Sequence, residues 1–215
     1  MTFDLRGGNG ASAFASVRQF LRPPVVREHC DLCDAELAEE HAHLLELESA
    51  RLQCACDACA ILFSNQSNAK YRRVPRRIEF LDDFKITDAQ WLALDIPINL
   101  AFLSHSTRAG RVVALYPSPA GTTESLPAPE AWQALVEDNP VLHKKKPDVE
   151  ALLVNRLGIP AAYCLTGIDE CYKLVGTIRK HWKGMSGGAA VWGEVASFFA
   201  GLRDRARYSG ARGHA

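Results

Sequence analysis

Residues 30–59 read CDLCDAELAEEHAHLLELESARLQCACDAC, and they decide how the chain begins its fold. Five of the seven cysteines fall here. Two C-x2-C pairs, Cys30/Cys33 and Cys56/Cys59, are separated by 22 residues. A C-x2-C turn lets two thiolates converge on one ion, and two such turns complete a tetrahedron. Between the pairs, His41-Ala-His43-Leu-Leu-Glu-Leu and Arg51-Leu-Gln-Cys54-Ala-Cys56 read as two short strands around a turn. Ala58 to Phe63 reads as the start of a short helix. Knuckle, hairpin and second pair give the layout of a zinc-ribbon or treble-clef-like module over residues 27–63. Such a module is too small to fold on apolar burial alone, so bound metal supplies the difference.

Zinc suits the set Cys30, Cys33, Cys56 and Cys59, because it accepts four sulfurs and has no d-electron preference of geometry. Iron or an iron–sulfur cluster is the alternative. Rubredoxin-type iron sites resemble this pattern but carry Gly after each C-x2-C, where Asp34 and Ala60 stand here. Donors are in excess. Cys54 reads either as an additional ligand or as a small buried side chain, and on a strand it would share the face of Cys56. His41 and His43 alternate along a strand, which does not by itself make them ligands. Four thiolates leave no open coordination position, so the metal reads as structural and no catalytic residue is assigned.

Working outward, the chain has 215 residues, 25 Lys plus Arg against 25 Asp plus Glu, and 47 % hydrophobic residues. These values exclude a disordered or fibrous chain. Zero formal charge removes the simple case for a nucleic-acid or membrane binder. No apolar run is long enough for a membrane span, and residues 1–14 lack the pattern of a secretory signal. A cytoplasmic location with free thiols is the expectation.

Residues 1–26 read as a flexible segment holding a short helix over 13–22, and residues 64–77 as a polar, then basic, linker. Residues 78–202 read as an α+β domain, and 203–215 as a flexible tail. In the domain, Thr87 and Asp88 are expected to cap a helix reaching Leu94. Ile98–Ser104 with Arg111–Tyr116, and Val149–Leu157 with Ala161–Ile168, read as two hairpins of an antiparallel sheet with packed helices. Pro127–Glu137 reads as a helix. Asp169 is expected to cap another, whose stripe Cys171, Leu174, Val175, Ile178 and Trp182 lies on the sheet. A last helix carries Val191, Val195, Phe198 and Leu202 on one face. Cys164 and Cys171 read as core residues.

An acidic run lies within the module and a basic run follows it. Residues 28–50 carry eight acids and, before Arg51, no Lys or Arg, whereas Lys70, Arg72, Arg73, Arg76 and Arg77 carry no neighbouring acid. Mutual screening within the protein is favoured over a docking surface. Ser186-Gly187-Gly188 precedes a helix but matches no phosphate loop.

At Cys30-Asp-Leu-Cys33, Leu52-Gln-Cys54-Ala-Cys56-Asp-Ala-Cys59, Tyr116-Pro-Ser-Pro-Ala-Gly121, Ala151-Leu-Leu-Val-Asn-Arg156, Cys171-Tyr-Lys-Leu-Val-Gly176 and Trp182-Lys-Gly-Met-Ser-Gly-Gly188 with Val191-Trp192, the chain resembles an uncharacterised bacterial family. The resemblance spans roughly residues 27–202. That family is similar to one encoded in gene clusters of actinobacterial-type nickel–iron hydrogenases, the enzymes that oxidise atmospheric hydrogen. The resemblance implies a context, hydrogenase maturation or assembly, and no catalytic residue. It implies a protein partner, a hydrogenase subunit or maturation factor. The expectation is a metal-binding accessory protein acting through protein–protein interaction. A small iron-binding electron-transfer protein is the alternative.

Overall fold

Glu150–Asn155, EALLVN, is apolar on both alternations, which is the signature of a strand covered on both faces. The computed structural model describes residues 27–64, 70–118, 121–184 and 187–212. In chain order the elements are β1 (Ala42–Glu46), β2 (Arg51–Ala55), α1 (Asp57–Ser64), β3 (Tyr71–Arg73), β4 (Ile78–Phe80), α2 (Asp88–Ala93), β5 (Leu100–Ser106), β6 (Arg111–Ser118), β7 (Gly121–Ser125) and α3 (Pro129–Asp138). A 3-10 helix, Pro140–Lys144, follows, then β8 (Glu150–Asn155), β9 (Ala162–Gly167), α4 (Ile168–His181) and α5 (Gly188–Arg212). The fold is mixed α and β, with a three-stranded sheet ordered β2-β1-β3 and a six-stranded sheet ordered β4-β9-β8-β5-β6-β7. All the pairings are antiparallel.

The two expected hairpins are present and are joined edge to edge, with Leu103 of β5 opposite Leu152 of β8. Ala151 and Leu153 face a core made with Cys171, Leu174 and Ile178 of α4 and Val191, Val195 and Leu202 of α5. Leu152 and Val154 face a second core made with Trp91 of α2 and Leu135 and Val136 of α3. One strand therefore ties both layers. Cys164 and Cys171 are fully buried in the first core, as their apolar surroundings in the sequence suggested.

Thr87 caps α2 as expected: its Oγ1 accepts from the Gln90 N–H, and Gln90 returns the bond to the Thr87 N–H. Asp169 is not a cap. Helix α4 starts one residue earlier, at Ile168, with Gly167 in the cap position. The last helix does not stop near Leu202 but continues to Arg212. The helix expected over residues 13–22, and Ser186, lie outside the described residues.

Three strands escaped the sequence reading. β4 and β7 extend the large sheet at its two edges. β3 lies in the stretch read as linker and pairs with β1, Leu44 opposite Arg73. Its Tyr-Arg-Arg sequence has no apolar alternation, because an edge strand with cationic side chains in water needs none. This pairing brings the basic run alongside the acidic one. Lys70 reaches Glu46 of that run at 2.5 Å, whereas Arg72 reaches Asp148, outside it, at 2.5 Å.

The small sheet sits between two environments. Ala42 and Leu44 of β1 face a small core with Cys30, Ala55, Cys59 and Ala60. Leu45, one residue along, faces the first main core with Val74. Strand alternation thus gives β1 a cysteine side and a side turned to the rest of the chain.

Candidate metal centre

The first knuckle is a tight turn. The Cys30 N–H donates to Ala35 O at 2.8 Å, and the Asp34 N–H donates back to Cys30 O at 2.8 Å. Asp34 has a φ of 61°, the left-handed region that short polar residues tolerate best after glycine. Asp31 fastens the turn to β2: its N–H donates to Cys54 O at 2.9 Å, and its Oδ2 accepts from the Cys54 N–H at 2.7 Å.

The second knuckle is the start of α1. Cys56 precedes the helix, and Cys59 lies in its first turn. The Cys59 N–H points to Cys56 Sγ at 3.4 Å, as a backbone donor does for a thiolate at a helix start. Ala60 is helical and needs no special backbone conformation.

The structure brings Cys30, Cys33, Cys56 and Cys59 together, with all four sulfurs within 4.8 Å of one another. Cys33 Sγ and Cys56 Sγ are 3.7 Å apart. Four sulfurs about 2.3 Å from one zinc ion would stand about 3.8 Å apart, so the group is of the size a metal requires. Cys30 and Cys59 are buried and Cys33 is exposed, so the cluster lies at the surface of its small core. Burial opposes the Cys30 thiolate, but N–H groups of Cys56, Leu32 and Cys33 outweigh it and draw its pKa to about 6. Burial and the neighbouring sulfurs push Cys59 up to about 12. Cys30 ionises, and Cys33 and Cys59 then resist, which is the electrostatic conflict a bound cation removes.

Cys54 does not join this group. β2 ends at Ala55 and α1 begins at Asp57, so Cys56 lies off the strand, between the two, and does not share a strand face with Cys54. Cys54 lies directly across from His43 in the β1–β2 register, on the side turned away from the four sulfurs. There it forms a second group with His41 and His43, with one donor atom from each within 4.8 Å of the others. Burial raises the Cys54 pKa, and the nearby carboxylates of Glu28 and Asp31 raise it further.

Both histidines are fixed through Nδ1. His41 Nδ1 is 3.0 Å from Ala38 O, and His43 Nδ1 is 2.9 Å from Asp169 Oδ2. Sequence reasoning missed Asp169 here, because it lies 126 residues from His43 and no local pattern connects them. Gly167 permits the approach. A Cβ at Gly167 would lie 2.5 Å from Asp169 Oδ1 and 2.7 Å from Pro75 O.

A cavity of about 350 Å³ opens beside the histidines, between the small sheet and α4. Arg76, Arg77, Lys173 and Arg205 line it together with Asp169 and Glu170. Glu170 accepts two bonds from Arg205, at 2.9 and 2.6 Å, and one from Lys173 at 3.0 Å.

Among the described residues no helix is long and apolar enough to cross a membrane. Compared with known proteins, residues 29–206 match the profile of a family of unknown function (DUF5947). No curated protein and no solved structure matches.

Proposed function

The chain belongs to the family of unknown function DUF5947, whose description assigns no activity, and we propose from the site itself that it is a metal-binding accessory protein. Cys30, Cys33, Cys56 and Cys59 hold one zinc ion in a zinc-ribbon or treble-clef-like module. The ion is structural, since four thiolates fill its coordination sphere. The observation that carries this reading is the convergence of four sulfurs from two knuckles on a core whose other buried side chains are Ala42, Leu44, Ala55 and Ala60, with Leu32, Leu37, Phe63 and Tyr71 partly buried against it. That core is too small to hold the knuckles without an ion.

The module then acts as a surface for another protein, in maturation or assembly of a nickel–iron hydrogenase. Support for this context is the sequence resemblance described above, and the exposure of Cys33 and of Ile61 and Leu62 on α1 fits a contact surface near the metal. Metal analysis by mass spectrometry together with a visible spectrum, on protein purified without oxygen, tests the metal. Zinc without colour is expected. Iron with an absorbance that bleaches on reduction would replace this reading with an electron-transfer role. Capture of the tagged chain from a hydrogenase-containing host tests the partner, and recovery of no hydrogenase subunit or maturation factor would count against it.

A further inference from the structure

The geometry points to a second metal site, distinct from the four cysteines, in which Nε2 of His41, Nε2 of His43 and Sγ of Cys54 hold one divalent ion of the zinc class, with a coordination position open to the adjoining cavity.

The tautomers make the case. Ala38 O can only accept, so the His41 ring carries its proton on Nδ1. The Asp169 carboxylate, an acceptor, likewise places the His43 proton on Nδ1. In the neutral rings both Nε2 atoms are then bare lone pairs. His41 has a side chain only 7 % exposed, and its Nε2 is buried with no hydrogen-bond partner. A buried acceptor left without a donor is unfavourable, and a metal ion is the partner a lone pair in this position lacks. A ring nitrogen of His43 and the Cys54 thiol stand within 4.8 Å of one another and of a ring nitrogen of His41. A histidine whose Nδ1–H is held by a carboxylate or a carbonyl is the usual arrangement of an imidazole ligand.

The two sites differ in chemistry. Four thiolates around a divalent ion are closed and carry net negative charge. Two neutral imidazoles and one thiolate leave a net positive centre with a place for water or another exogenous ligand. His41 and His43 line the cavity that supplies this access. Zinc suits the mixed nitrogen and sulfur donors, and Co2+ is its spectroscopic substitute.

The test is a titration of the full, metal-free chain with Co2+ against a chromogenic chelator, under nitrogen, with bound metal counted by mass spectrometry. Two ions per chain are expected for the wild type, and one for Cys54→Ala and for His41→Gln. Asp169→Asn should keep two sites but weaken one by about 10- to 100-fold, since it orients His43 without touching the ion. Circular dichroism identifies a variant that has not folded, and the pair Cys54→Ala and His41→Gln guards against one such failure. Unchanged stoichiometry in both folded variants would overturn the site. The four-cysteine reading fails separately: a wild type that binds one ion, lost in Cys54→Ala and His41→Gln, retains the second site and discards the first.

Discussion

Lys145 is a buried ammonium whose removal should strengthen the protein. Its side chain lies beside Trp132, which packs on the second core, with the residue only 9 % exposed, and Nζ has no hydrogen-bond partner. The face of Trp132, 5.5 Å away, is its polar compensation, and burial draws its pKa from 10.5 to about 8 despite the carboxylates of Glu150 and Asp148. The folded state therefore binds this proton less firmly than the unfolded state. Between pH 8 and 10.5 the unfolded chain carries the proton and the folded chain does not, so stability rises with pH across that window. Below it the full penalty applies, about 3 kcal/mol at about 1.4 kcal/mol per pH unit. Lys145→Met keeps the apolar stem and gives up a cation–π contact worth about 1 kcal/mol. The net expectation is a gain of about 2 kcal/mol at pH 7, or about 4–8 °C in melting temperature. Urea unfolding of both proteins at pH 7 and pH 10 reads it, and thiol titrations common to both cancel in the difference. The gap should nearly close at pH 10. A variant less stable than the wild type at pH 7, or a gap independent of pH, would refute the argument.

Other outcomes follow from single contacts. Cys33→Ser should lose the four-cysteine metal and unfold the module, whereas Cys171→Ser, in the main core, should leave metal content unchanged; mass spectrometry of both variants checks the ligand assignment. Gly167→Ala should cost about 1–3 kcal/mol in urea unfolding, because its Cβ would collide with Pro75 O and the Asp169 carboxylate. Leu153→Ala should cost about 2–5 kcal/mol, since Leu153 is fully buried on the strand that joins both layers.

What was legible in the sequence was what local pattern controls. C-x2-C spacing marked the knuckles, apolar runs around turn residues marked β5, β6, β8 and β9, and a 3.6-residue stripe marked α4. Each of these signals lies within a few turns of chain. β3, β4 and β7 were not legible, because edge strands are held by a neighbour's backbone and need little apolar surface of their own. The role of Asp169 was illegible for a related reason. As an acid at the start of a helix it carries the local signal of a cap, and only tertiary contact with β1 shows that its carboxylate is engaged by His43. Cys54 was legible as a donor but not as to side. Its face depends on whether Cys56 is still in the strand, and β2 stops one residue short of it.

The two donor groups stand in a directional relation that gives the last prediction. They occupy opposite faces of the same β1–β2 pair, so one piece of backbone positions both. The four cysteines hold the ends of this piece: Cys30 and Cys33 through the knuckle bonded to Cys54, and Cys56 and Cys59 through the helix that begins where β2 ends. His43 and Cys54 instead sit on strands that the knuckles hold, with His41 just before β1, and the two histidines are steadied from outside by Ala38 O and Asp169. Removing the first metal should release the frame on which the second is assembled. Removing the second leaves the knuckles, their helix and their small core intact. Cys33→Ser should therefore lose both ions, and Cys54→Ala only one. The asymmetry is checked by counting metal in the two variants side by side. Retention of a full second ion in Cys33→Ser would mean that the β1–β2 pair is held by its pairing with β3 and its contact with α4, and that the four-cysteine ion is not what organises the module.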